Sequence, residues 1–318
     1  MSEFLISKRE QIAWTTETVF GDGGTMASGE IVGYNALVES PDFDLMYQEI
    51  LNNGSDSYKV SSHVSAGKSF PFVLSFVPVN WRWLKYLMTV VDAGGPAYTH
   101  TFSLGSTVSS FALEWARRHT TPHVVNAVGC YVISARVVFQ KATGAGTDGL
   151  MRVVLTCMAK DASFGSTVTE LSQLTATPYM FKHTKFTYNN GEFVEVNNDE
   201  INIARGINPN DSRYCNTTAD GTVSTPIPTI TRVGGNINVN TEDSTFDDAW
   251  LASSPILNTK IEFIRGASDQ LVFPIGGFRL HKTLAATNAD GGVVASTLVW
   301  TDEGNASTPV ATDTTATY

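Results

Sequence analysis

The stretch GCYVISARVVFQKATGAGTDGLMRVVLTCMAKD, residues 129–161, constrains the fold more than any other part of the chain. Apolar side chains recur at every second position, the period of a strand whose successive side chains point to opposite faces. On the first arm Ile133, Ala135, Val137 and Phe139 share one face, and Ser134, Arg136, Val138 and Gln140 share the other. On the second arm Met151, Val153, Leu155, Cys157 and Ala159 alternate with Arg152, Val154, Thr156, Met158 and Lys160. GAGTDG between them supplies the glycines of a hairpin turn. One face of such a hairpin must be buried against a second sheet. The other face is mixed rather than plainly polar, which calls for something else to complete it.

The same period marks strands near residues 69–77, 99–104, 110–117, 185–188, 235–241, 259–265, 278–284 and 293–301. Helical signals are few, so the fold class is all-β with short flanking helices. NWRWLKYLMTVVD offers Asn80 as a cap and places Trp81, Leu84, Leu87, Met88 and Val91 on one helical face. STFDDAWLASS predicts a short helix capped by Ser244 or Thr245, with Asp247 and Asp248 favoured in its first turn by the helix dipole. FDLMYQEILNNG, residues 43–54, fits either an amphipathic helix or an extended arm.

Order and spacing point to an internal repeat. FALEWARR around Glu114 parallels TKIEFIRG around Glu262. Each leads to a glycine that opens a strand, Gly129 and Gly276, then to a Gly/Asp-rich turn, then to a closing strand. Upstream, GKSFPFVLSFVPVNWRWLKYL parallels GGNINVNTEDSTFDDAWLAS. This predicts two units, residues 1–165 and 166–318, the second carrying an insert near 208–232.

The chain is 42% hydrophobic but only 16% charged, against about 25% charged in an average soluble domain. A surface so poor in charge suits coverage by partners. The formal net charge of −10 opposes tight binding of a nucleic-acid backbone, which needs clustered Lys and Arg. No apolar run reaches the roughly 18 residues of a membrane-spanning helix, and MSEFLISKREQIAW lacks the apolar core of a secretion signal. Cys130, Cys157 and Cys215 are too sparse for a disulfide framework and read as buried apolar residues.

Chemistry-bearing patterns are scarce. His119 and His123 are four apart, but Thr120, Thr121 and Pro122 oppose the helix that would make them a ligand pair. GAGTDG lacks the Lys-Ser/Thr of a phosphate loop, and no Gly-x-Ser-x-Gly elbow is present. Asp42, Asp44, Glu192 and Glu195 are acids without a supporting motif for a glycosidase pair. Trp81, Trp83 and Tyr86 fit core packing better than a sugar platform. The expectation is a non-enzyme with no cofactor and no metal.

EQIAWTTETVFGDG, with Glu17, Phe20 and Gly21, SAGKSFPFVLSFVP followed by WRWLKYLM, YTHTFSLGSTVSSFALEW, and the hairpin itself together resemble the tail tube, or major tail, proteins of long-tailed viruses of bacteria or archaea. The similarity is clearer in the first half. It implies duplicated tail-tube β-sandwich units whose sheets join between subunits into a continuous β-barrel, in rings that stack into a hollow tube through which viral DNA passes. Closing sheets across subunits would also remove exposed strand edges.

With two units per chain, the resemblance implies a trimeric, pseudo-hexameric ring stacked helically, with a true hexamer as the alternative. The partners it implies are the chain itself, a tape-measure protein, a tail terminator and baseplate or tip proteins. DNA would pass without sequence-specific binding, no membrane is involved, and the location is the virion tail. The expected lumen-lining residues are Ser134, Arg136, Gln140, Arg152, Thr156 and Lys160, with counterparts in 278–284 and 293–301. A net-negative lumen is expected, and the three basic residues sit awkwardly with it. Ring stacking is expected from an arm carrying Phe43, Leu45, Tyr47, Ile50 and Leu51, and from residues 4–20. The alternative functions are a contractile-system inner tube or a non-tube β-sandwich binding module or adhesin.

Overall fold

The computed structural model describes residues 10–41, 44–51, 60–105, 107, 109–118, 120–142, 149–193, 196–207, 225–226, 228, 231–240, 245–286, 295–303 and 307–318. Over 44–51, 60–69 and 282–286 the account concerns backbone pairing alone. The chain is predominantly β. Its first half contains β1 (Glu10–Thr16), β2 (Glu30–Ile31), β3 (Tyr34–Glu39), β4 (Asp44–Leu51), β5 (Val60–Val77), β6 (Thr89–Ala93), β7 (Tyr98–Ser103), β8 (Phe111–Arg117), β9 (His123–Gln140), β10 (Arg152–Ala159) and β11 (Asp161–Gly165). Then come β12 (Thr184–Tyr188), β13 (Gly191–Phe193), β14 (Val196–Arg205), β15 (Thr231–Asn240), the helix α1 (Thr245–Ala252), β16 (Thr259–Gly266), β17 (Asp269–Ile275), β18 (Phe278–Ala286), β19 (Ala295–Asp302) and β20 (Val310–Asp313).

Two sheets form a sandwich. The main path of the larger sheet runs β18-β19-β15-β14-β9-β10-β5-β3, and the smaller runs β13-β12-β16-β17-β20-β7-β6. Along the main path side chains alternate between buried and accessible, as the sequence period requires. Val137 and Phe139 on β9, Ile201 and Ile203 on β14, Ile237 and Val239 on β15, and Leu298 and Trp300 on β19 are buried. Across the core, Phe139 meets Phe263 of β16 edge-on, with ring centroids 5.1 Å apart. Phe278 stacks on Trp300 at 5.5 Å.

The long strand β9 links two parts of the larger sheet. Its first half pairs with β8 and β11, and its second half pairs with β10 and β14. Gly129 marks the change of direction, with φ +62, a value that side-chain-bearing residues rarely adopt. The glycine is also sterically required, because a Cβ there would lie 2.5 Å from Cβ of Lys160.

One predicted helix is corrected. Residues 80–92 form only a five-residue 3-10 turn, Arg82–Tyr86, before β6 begins. The cap position is Trp81 rather than Asn80, and the Asn80 Oδ1 accepts the Arg82 N–H at 3.2 Å from just outside the turn. Trp81, Trp83, Leu84, Tyr86, Leu87 and Met88 are all about 1% exposed, so burial extends well beyond the single face that an amphipathic helix would bury, and only Arg82 and Lys85 are partly accessible. This burial also removes Trp81, Trp83 and Tyr86 from any sugar-binding surface. The second predicted helix forms as α1, and residues 44–51 take the extended alternative as β4.

Candidate assembly surface

The outer face of the main sheet collects five of the six residues singled out from the opening hairpin. Thr156 lies opposite Ser134, and Arg152 and Val154 lie opposite Val138 and Arg136. Gln140 lies opposite Asn198 of β14. Arg136 and Arg152 are matched by carboxylates, Arg136 with Glu200 at 2.5 Å and Arg152 with Glu39 at 3.0 Å. Arg152 also donates to Ser75, whose hydroxyl donates to Glu39 at 2.7 Å. Two Arg–Glu pairs therefore leave this patch without net charge.

Lys160 lies elsewhere. It follows the end of β10, and its ammonium stands over the Phe20 ring, 5.5 Å from the centroid. Its backbone N–H donates to the carbonyls of Val128 and Gly129, which places it at the bend of β9 rather than on the outer face.

The face continues onto β14, which was not among the expected strands, and onto β15, which covers most of the strand expected near 235–241. On β14 and β15, Asn198, Glu200 and Asn202 and then Asn236, Asn238 and Asn240 alternate with buried residues. The Asn238 amide donates to Asn198, the Thr297 hydroxyl donates to Asn238 at 2.5 Å, and the Asn197 amide donates to Asn240 at 2.7 Å. The alternation in NDEINIA and NINVN carried the signal, but asparagines at the polar positions resemble loop composition.

Both ends of the main path are strand edges. Among the described residues, β3 is paired only to β5, and β18 is paired to β19 and, at its first residue Phe278, bridged to Ile256. The arm is a hairpin: β4 pairs with the first part of β5, setting Leu45 opposite Lys68, Tyr47 opposite Ser65, Ile50 opposite Ser62 and Leu51 opposite Val60. Residues 60–69 of β5 precede its pairing with β10, which begins at Phe70, so the hairpin extends roughly 30 Å at about 3.3 Å per residue. Phe43 lies outside the described residues. Of the N-terminal segment, β1 pairs with β8 from Glu10–Arg117 to Thr16–Phe111, and residues 4–9 lie outside the described set.

A single pairing scheme occurs twice. At the β9 bend, Gly129 donates its N–H to the buried Glu17 at 2.8 Å and Lys160 returns a bond to the Gly129 carbonyl at 3.2 Å. Between β17 and β18, Gly277 donates to the buried Asp302 at 2.9 Å and Glu303 returns a bond to the Gly277 carbonyl at 2.7 Å. Four residues beyond each glycine the strand carries one extra residue. Ile133 is skipped between Val132–Cys157 and Ser134–Thr156, and His281 between Leu280–Trp300 and Lys282–Val299. The flanking order is also shared: β9-β10-β5-β3 in one half and β18-β19-β15-β14 in the other. β11 and β20 each pair with the strand segment before the glycine. The halves meet where β14 pairs with β9, from Asn198–Gln140 to Ala204–Ser134.

Several buried polar groups brace this arrangement. Asp199 lies in the seam on the core side, 2% exposed, with Oδ2 unpartnered; burial pushes its carboxyl well above the ordinary Asp range. Arg205, at the end of β14, donates to the carbonyls of Gly105 and Thr107, each at 3.1 Å. The buried His100 of β7 contacts Asp92 at 2.7 Å and Asp313 at 3.2 Å and stacks on Tyr318 at 3.7 Å. The C-terminal segment is thus fixed within its own chain, with β20 between β17 and β7. Cys130 and Cys157 are free and buried, their thiols pushed up by burial; Cys215 lies outside the described residues.

Among the described residues no cluster of His, Cys, Asp or Glu has metal-binding geometry. His119 is outside them, and His123 sits at the exposed start of β9. Glu192 pairs with Lys185 at 2.8 Å; Asp42 and Glu195 are not described. Among the described residues, no helix is long and apolar enough to cross a membrane. No protein-family profile matches the chain, and no curated protein matches it.

Proposed function

We propose that this protein is a self-assembling structural subunit of a hollow tube, of the viral tail-tube kind its sequence resembles. The observation that carries this reading is the repeated pairing scheme joined by the β14–β9 seam. Joining two like units by unlike edges is a heterologous contact, which continues into a closed ring or an open filament. The edges left over are β3, the counterpart of β14, and β18, the counterpart of the β14-facing half of β9. Pairing β18 of one copy with β3 of the next would repeat the seam and bury both edges.

Eight strands from each of three chains make a wall of twenty-four. At about 4.8 Å per strand and a tilt of up to 45°, that wall closes at a diameter of roughly 35–50 Å at the backbone. Six chains would double it. The outer face of the main sheet is then the channel wall, charge-paired by Arg136–Glu200 and Arg152–Glu39 rather than net negative. The matched Arg136 and Arg152 offer little to phosphates, whereas Arg232 of β15, on the same face, is exposed and has no ion pair among the described residues. The β4–β5 arm is the candidate contact between stacked rings, and the tape-measure, terminator and tip proteins are the partners that such a tube implies.

Negative-stain electron microscopy of the purified chain tests the reading. Rings or hollow tubes are expected, and a monodisperse monomer at every concentration would refute it. Deleting residues 42–57 should leave rings that no longer grow into long tubes; normal tubes would exclude the arm from stacking.

A further inference from the structure

At the internal seam one half of the chain covers the other. Trp83 and Leu84 of the 3-10 turn are each 1% exposed. Beneath the β9–β14 seam they share an apolar gap of only about 10 Å³ with Ile201 of β14 and with Leu271 and Phe273 of β17. Leu271 and Phe273 are each 2% exposed.

The strand registers locate the same face in the first half. The two bends align Gly129 with Gly277, and the neighbouring pairs agree: Cys130 lies opposite Phe111 as Phe278 is bridged to Ile256. Counting back from the glycines, His123 corresponds to Leu271 and Val125 to Phe273. Phe164 of β11 lies opposite Val125. The residue in that place beside Phe273 is Pro309, next to the Val310–Val272 pair. Pro309 is buried, but Phe164 is 65% exposed, and His123 is exposed at the start of β9. Their rings lie 5.8 Å apart. A face that is sealed in the second half is therefore accessible in the first.

The covering element also has a counterpart. Thr156 and Val299 hold the same place beside the extra residue, and they lie opposite Val73 of β5 and Asn236 of β15. The 3-10 turn at Arg82 and α1 at Thr245 begin at the same distance beyond those two residues. Phe246 anchors α1 to its own half against Tyr188, with centroids 4.9 Å apart, and Trp250 donates its indole N–H to the His281 carbonyl of β18 at 3.3 Å. Trp250 and Leu251 are nevertheless 44% and 69% exposed. The β6–β7 hairpin, which follows the 3-10 turn and pairs with β20, has no counterpart, because residues 253–258 join α1 directly to β16. That leaves α1 as the cover the second half can offer.

We infer that α1 of one copy, through Trp250 and Leu251, packs on His123 and Phe164 of a second copy of this chain. The inference rests on the self-assembly reading and names the apolar contact beneath its β18–β3 seam. A second copy is the occupant because, within one chain, the equivalent face is covered by the equivalent element of the other half. The contact is head-to-tail, since the helix belongs to one half and the face to the other.

The test uses a Cys215→Ser background, in which Cys130 and Cys157 remain buried. One chain carries Phe164→Cys and another Leu251→Cys, with a short thiol-to-thiol cross-linker. Both positions are exposed, so both chains should fold, and the circular dichroism melt of each checks that. A covalent dimer is expected only when the two are mixed. Phe164→Asp should raise the protein concentration at which rings appear by about tenfold or more, while leaving the monomer's melt unchanged. A dimer from either chain alone would overturn the head-to-tail geometry. Wild-type rings with no cross-link in the mixture, or rings unaffected by Phe164→Asp, would overturn the proposal while self-assembly stood. A wild-type chain that never assembles would overturn both.

Discussion

The β9–β14 seam and the β18 edge are built alike, yet only one is finished. Both follow a glycine bend whose N–H is held by a buried carboxylate, and both carry an extra residue four positions later. At the seam, a neighbouring strand is paired and a Trp-Leu pair is buried below it. At the edge, the Trp-Leu pair lies in water. The difference extends to local structure. Surrounded by core, residues 82–86 tighten into a 3-10 turn, whereas 245–252 keep an exposed side and form an α-helix. Burial here is a property of the neighbour rather than of the dipeptide.

The contrast can be broken most forcefully at the two tryptophans. Trp83→Ala should cost about 3–5 kcal/mol, as for a large buried aromatic. Trp250→Ala in dilute protein should stay within about 0.5 kcal/mol, as for an exposed position. Urea unfolding of both variants measures the gap, and equal losses would erase the distinction between seam and edge. The bends come next. Gly129→Ala and Gly277→Ala would set a Cβ 2.5 Å from Lys160 Cβ and from the Glu303 carbonyl oxygen, respectively. Each should cost about 1–3 kcal/mol by the same denaturation assay. Gly129→Ala should lose the more, because Gly129 also sits at φ +62; a larger loss at Gly277 would argue against equivalent corners.

Asp199 probes the seam itself through pH. Its folded-state pKa is raised by burial, so the wild type carries no penalty while the carboxyl is protonated in both folded and unfolded chains. As pH rises past the unfolded value the unfolded chain ionises first, and stability falls until the folded pKa is passed. Asp199→Asn removes that dependence. The variant's stability relative to wild type should therefore increase as pH rises above the ordinary Asp range; a constant difference would mean that the carboxyl is not held neutral. The smallest effect is expected on the outer face, where Arg136→Ala should cost under about 1 kcal/mol, because its pair with Glu200 is solvent-exposed on the arginine side.

Legibility in the sequence followed local regularity. The hairpin and its face assignment were readable because alternation in ISARVVFQ and LMRVVLTCMA is strict, and Ser134, Arg136, Gln140, Arg152 and Thr156 do share a face. Lys160 broke the pattern because the bend at Gly129 pulls the residue after β10 away from the sheet, which alternation alone does not encode. β14 was missed because asparagines occupy its polar positions, and β1 because its residues are buried on both sides and show no period. The Trp81–Met88 segment misled in the opposite direction, since Trp83 and Tyr86 are buried as well as the residues at helical spacing, and a period in one set of apolar residues says little when the others are buried too. The equivalence of bends and extra residues required pairing partners that only the fold supplies.

The central claim is that the chain continues its own internal seam from copy to copy. A cryo-electron microscopy map of the assembled protein tests it most directly. The account predicts three chains per ring, with β18 of each paired antiparallel to β3 of the next in the manner of β9 and β14. Six chains per ring, or a ring joined through any other pair of strands, would contradict it.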